Sequence, residues 1–172
     1  HHHTVCVWSH LQGGVGMRVI GTCLIGIGLT VCFMLWLCSV AYGQTPHAAI
    51  VAKDGKACGA LFDDAVKVNI RPALRKELSR YVAAIRYAEN GKRYQYGIIH
   101  KRCPMGYRPQ AGWCAATVQK NWDRWVKAGK RGEFVAYLGR RYCPVGADND
   151  PNGLNKHWIG NVRKFHKRFS SK

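Results

Sequence analysis

The chain has 172 residues, of which roughly 130 remain once the apolar leader described below is set aside, enough for one core and too few for two domains. Lys and Arg number 27 against 9 Asp and Glu, and all but one of the basic residues, Arg18, follow Gly43, so the +18 charge sits almost entirely on the later part. Such a surplus excludes polycationic partners and favours polyanions, whether wall polymer, nucleic acid or anionic lipid, without choosing a fold.

Residues 1–16 read as an upstream extension without fold content, and the leading His1-His2-His3 is a weak metal signal. Residues 17–43 read as a signal peptide: Met17-Arg18 gives a short positive start, and Val19 to Leu37 is almost unbroken apolar sequence. The small residues Ala41 and Gly43 suit cleavage before Gln44. The apolar run also approaches the ~20 residues that cross a bilayer, so an uncleaved membrane anchor is the second expectation. Secretion or a periplasmic location follows, or tethering to the inner membrane through residues 19–37. Cys6, Cys23, Cys32 and Cys38 lie in or before this leader. The remaining Cys58, Cys103, Cys114 and Cys143 form an even set in an exported chain, which predicts two disulfides. Of the three pairings, 103–114 with 58–143 is preferred because Cys103 and Cys114 flank a Pro/Gly-containing loop. Zinc is disfavoured: there is no CxxC pair, and neither His157 nor His166 is spaced with a cysteine.

In chain order, residues 44–56 are weakly patterned and read as a linker, and residues 57–172 as a helical domain that starts with a short helix over Gly59 to Lys67. The first strong element opens at Pro72 and runs through Leu74, Leu78, Tyr81, Val82, Ile85 and Ala88 at helical spacing. Asn90-Gly91 breaks it, which leaves Glu89 in the last turn. Lys92 to Pro109, with Tyr94, Tyr96, Ile98 and Ile99, suggests a loop or a small two-stranded hairpin. Gln110 to Ala128 is helical, with Ala111, Cys114, Ala115, Val118, Trp122 and Trp125 on one side and Gly129 as the stop. Two further helices, Glu133 to Tyr142 and Leu154 to Phe169, flank a turn-rich loop over residues 143–153. The expected class is mainly α.

Glu89 is the most informative residue. Four, seven and eleven positions before it stand Ile85, Val82 and Leu78, so its carboxylate falls on the apolar face. Desolvation and the negative end of the helix dipole both disfavour its charged form and raise its pKa. A carboxyl that keeps its proton near neutrality can give it to a leaving oxygen, as glycosidic cleavage requires. The plainer alternative is an exposed flank position paired with Arg86 or Lys92.

The segment Tyr81-Val-Ala-Ala-Ile-Arg-Tyr-Ala-Glu89-Asn-Gly91 resembles the catalytic helix of the lysozyme-like superfamily, above all goose-type lysozymes and lytic transglycosylases. There an A-I-x-x-x-E-S-G pattern ends a buried helix with the acid. Asn90 stands where Ser is commoner. Tyr96-Gly97-Ile98 loosely resembles the cleft-lining G-L-M-Q segment, without its Met and Gln. Phe134 to Asp150, followed by Trp158-Ile-Gly-Asn-Val162, is similar to an "R-[YW]-A-P…N-D…Y-I-x-x-V" segment of phage-type wall hydrolases. The resemblance implies a small lysozyme-like helical domain that cleaves peptidoglycan, with Glu89 as general acid and Tyr94, Tyr96 and Gly97 toward the substrate.

A second carboxylate is harder to name. Asp123 lies among basic residues and Glu133 suits a helix start, but a transglycosylase needs only one acid. Asp148-x-Asp150-x-Asn152-Gly153 imitates the front of a calcium loop. Ile159 then occupies the twelfth position and Pro151 intrudes, so Asx turns capping the last helix explain these residues better. Neither metal nor cofactor is expected. Trp113, Trp122, Trp125, Trp158 and Tyr142 are read mainly as core, with Tyr94 and Tyr96 as candidates to stack on sugar. Residues 163–168, Lys101-Arg102 and Arg140-Arg141 supply cation clusters. A monomer acting on anionic cell-envelope glycan is the primary expectation, and export argues against nucleic acid. The rival is a non-catalytic basic protein that binds wall polymer, nucleic acid or membrane.

Overall fold

The computed structural model describes residues 44–89 and 91–170. The leader, with its expected signal or membrane tether, the four early cysteines and Asn90 lie outside the described residues. Among the described residues there are six helices: α1 (Pro46–Asp54), α2 (Lys56–Asn69), α3 (Arg75–Ala88), α4 (Tyr107–Lys127), α5 (Phe134–Tyr142) and α6 (Trp158–Ser170). Short 3-10 turns, Pro72–Leu74 and Leu154–His157, lead into α3 and α6. No described helix is long and apolar enough to cross a membrane.

The stretch read as a linker is largely helix α1. Thr45 caps it by accepting from the Ala48 amide at 3.2 Å, and Pro46 takes the first turn, where its missing N–H costs nothing. Ala49 and Ile50 are fully buried. Its short sequence hides this, because two core residues make too narrow a stripe to register as periodicity. Gly55, at φ +92°, turns α1 directly into α2, which is longer than the Gly59 to Lys67 expectation.

α3 is the central helix. It packs most extensively against α6 and also meets α4, α1 and α2. Leu78, Val82, Ala83, Ala84 and Ile85 are all fully buried, so the second half of α3 is enclosed by its neighbours while its first turns carry Arg75, Lys76, Glu77 and Arg80 toward solvent. Burying each large aliphatic among them contributes about 1.5–3 kcal/mol. The helix ends one residue earlier than expected: Glu89 is the C-cap, in an extended conformation at φ −88°, ψ 120°.

Residues 91–106 form turns and bends, and no strand exists among the described residues, so the hairpin alternative is corrected to a loop. The physical reason is the Gln110 side chain. Its Oε1 accepts from the Ile98 amide at 3.2 Å and its Nε2 donates to the Ile98 carbonyl at 2.9 Å, which satisfies both backbone groups that a partner strand would have taken. α4 starts three residues before the expected Gln110 because Pro109 fits within a first helical turn.

Asp150 organises the loop between α5 and α6. Its carboxylate accepts from the amides of Leu154 at 2.6 Å and Asn155 at 3.2 Å, the capping role expected of it. Gly139 of α5 is required by close packing: a Cβ there would fall 2.6 Å from Ile159 Cγ1 of α6. This fixed approach of α5 and α6 brings Trp158, the first residue of α6, back over the end of α3.

Candidate functional site

Glu89 leaves α3 partly buried, and its side chain is held on two sides. Trp158 Nε1 donates to Oε1 at 2.9 Å. On the other side lies Gly97, at φ +68°, where a Cβ would come within 2.5 to 2.7 Å of the carboxyl atoms. Only a residue without a side chain lets the loop backbone approach so closely. Tyr142 completes the wall. Its ring stacks on Trp158 at 5.2 Å between centroids, and its hydroxyl donates to the Tyr96 carbonyl at 2.5 Å, fixing the residue before Gly97.

Burial pushes the Glu89 carboxyl above its ordinary value, opposed by the Trp158 hydrogen bond and by the Arg86 charge, both of which favour the ionised form. The indole N–H can only donate, so Oε1 must serve as acceptor. When the carboxyl is neutral, its proton therefore belongs on Oε2. The same crowding acts on the neighbouring thiols: burial first, then the Glu89 charge, raises Cys143 to about 11 and Cys114 to about 12.

The sequence reading missed the support beneath this site. Arg86, only 8% exposed, places its guanidinium on the Asp54 carboxylate through Nε at 2.8 Å and Nη2 at 2.6 Å. Its Nη1 donates to the Glu89 carbonyl at 2.8 Å. The alternative of Arg86 pairing with the Glu89 carboxylate is thus not what forms; the arginine holds Glu89 by its backbone. Tyr107 donates to Asp54 Oδ2 at 3.1 Å, and its hydroxyl lies 3.0 Å from that of Tyr96. A signal was available, since Arg86 follows Val82 by one turn and occupies a core position. A charged residue there demands a buried partner.

The other expected site residues fall as follows. Tyr96 is fully buried, its ring edge-on to Tyr107, and this corrects its assignment as a sugar-stacking platform: no face is exposed. Tyr94 is half-buried beneath the Arg93 guanidinium, 5.6 Å from the ring centre. Gly97 reaches the site through its backbone. Asp123 is taken by Arg71 and Gln119, and Glu133 by Arg163 at 2.6 Å, a bond that lowers its pKa, so neither stands as a partner to Glu89. Cys58, Cys103, Cys114 and Cys143 are free thiols, and the 103–114 and 58–143 bridges are not formed. Cys103 instead accepts from Gln110 Nε2 at 3.4 Å, while Cys114 is sealed in the core. Trp122 and Trp125 pack on Phe134, as read, whereas Trp113 faces solvent.

Clefts of about 560, 300 and 200 Å³ lie among the described residues, and Glu89 lines none of these. No protein-family model, no curated protein and no solved structure matches the chain.

Proposed function

We propose that this protein is an exported enzyme that cleaves peptidoglycan, with Glu89 as the general acid. The observation that carries the reading is the setting of Glu89: a desolvated carboxyl at the end of a buried helix, gripped at one oxygen by Trp158 Nε1. That setting favours a neutral acid whose proton sits on Oε2. In the proposed step Oε2–H protonates the glycosidic oxygen as the carbon–oxygen bond breaks, the leaving sugar departs as an alcohol, and Glu89 is left as carboxylate. Water, or a hydroxyl of the sugar itself, then adds to the electron-poor carbon and returns a proton to Glu89. The Trp158 N–H stabilises the carboxylate formed in the first half, and such general-acid assistance is worth ~10²–10⁴ in rate. The cationic surplus holds the protein to an anionic wall.

The test is the clearing of a purified murein suspension by wild type and by Glu89→Gln, with circular dichroism to show that both fold. Clearing by wild type and its loss in the variant are expected. Equal clearing by the two proteins defeats the assignment of Glu89. Absence of clearing by both, with murein retained on sedimentation, transfers the reading to a non-catalytic wall binder.

A further inference from the structure

Seven large apolar side chains are exposed among the described residues; two of them, Val68 (72%) and Trp113 (36%), line adjoining grooves, and Ile99 (63%) and Met105 (47%) stand next in the chain to residues at the larger one. They come from α2, from the loop after Gly97 and from α4. The 560 Å³ groove contains Trp113 together with Asn69, Pro104 and Gly112, and the adjoining 200 Å³ groove shares Asn69 and Gly112 and reaches Val68. Met105 follows Pro104 in the chain, and Ile99 precedes His100, whose ring lies 5.2 Å from that of Trp113. Exposed apolar side chains scattered singly need no explanation, but a contiguous set marks an interaction surface.

The charges around this face are cations. Lys120 lines the larger groove, and Lys101 and Arg102 continue the loop beyond His100. None of the three has a carboxylate partner among the described residues. Asp64, the carboxylate at the groove edge, is already paired with Arg108 at 3.0 Å. Aliphatic side chains and a partly exposed indole beside an unpaired Lys120, with Lys101 and Arg102 on the neighbouring loop, match the boundary between headgroups and acyl chains in an anionic bilayer. The apolar tips enter the boundary, the indole sits at it and the cations meet the phosphates. We infer that this face docks on an anionic lipid surface. The inference is independent of the activity proposed for Glu89.

The test uses the full chain with vesicles whose acyl chains carry bromine, reading tryptophan emission in wild type and in Trp113→Phe. The other tryptophans, including Trp36 in the leader, contribute equally to both proteins, so the difference isolates Trp113. On phosphatidylglycerol vesicles the Trp113 emission is expected to be quenched, and on phosphatidylcholine vesicles it is not. Lys101→Gln, Arg102→Gln and Lys120→Gln should each weaken the quenching response on the order of fivefold at low salt. Val68→Ser, a surface change, should weaken it with circular dichroism unchanged. No difference between wild type and Trp113→Phe, or equal quenching on both lipids, overturns the inference. So does Trp113 emission that responds to murein fragments, nucleic acid or protein concentration but not to lipid, which assigns the face to a different occupant.

Discussion

Trp158 Nε1 and Glu89 Oε1, 69 positions apart in the chain, meet at 2.9 Å and set both the orientation and the protonation of the carboxyl. The bond favours the ionised form while burial opposes it, and burial is the larger influence. Replacing the indole by a ring without a donor leaves only the Arg86 charge to counter burial. Trp158→Phe should therefore raise the Glu89 pKa further, measured by carbon NMR titration of the labelled carboxyl. Leaving a buried polar group without its hydrogen-bond partner costs about 1–3 kcal/mol, so a thermal melt should show a loss of that order. An unchanged titration would show that the indole bond does not govern the acid.

A raised acid pKa fixes the sign of a stability dependence on pH. Between the ordinary carboxylate value near 4.5 and the higher folded value, the unfolded chain has released the Glu89 proton while the folded chain retains it. Folding then binds a proton, and stability falls as pH rises across that window. Glu89→Gln removes this slope. Denaturant unfolding of both proteins across the window should show the variant gaining on wild type as pH rises; a parallel pair of curves would contradict the desolvated setting.

Gly97→Ala tests the close approach of loop and carboxyl. The added Cβ meets Glu89 atoms at 2.5 to 2.7 Å, and φ +68° strains any residue with a side chain. The strain alone costs about 1–3 kcal/mol, visible in denaturant unfolding. Displacement of the carboxyl should also reduce murein clearing by more than the loss of folded protein explains.

Arg86 and Asp54 are each about one-tenth exposed at the side chain. Removing one partner strands the other charge, so Arg86→Met should cost about 3–5 kcal/mol, and Asp54→Leu a similar amount. The double variant should cost clearly less than the sum of the two. Chemical denaturation of the three variants measures this, and additive losses would show that the pair is not coupled.

The helices were legible in the sequence to the extent that their own residues announced them. Leu78, Val82 and Ile85 gave α3 its period, and the same period placed Glu89 on the apolar side. Thr45 and Pro46 are legible start signals too, but α1 carries no clear apolar period, and only Ala49 and Ile50 of its residues are fully buried in the fold. Tyr94, Tyr96 and Ile98 alternate as a strand does, yet a single glutamine amide on α4 takes the backbone bonds of Ile98 and no second strand forms.

Composition and periodicity determined the helical class, the cationic surface and the apolar side on which Glu89 stands, because each depends on residues a few positions apart. Only the tertiary structure decided that Trp158 holds one carboxyl oxygen, that Gly97 backs the carboxyl, that Arg86 reaches Asp54 and that Tyr96 is enclosed. Those facts arise where helices far apart in sequence cross, and the desolvation that sets the chemistry of a carboxyl comes from whatever the fold packs around it.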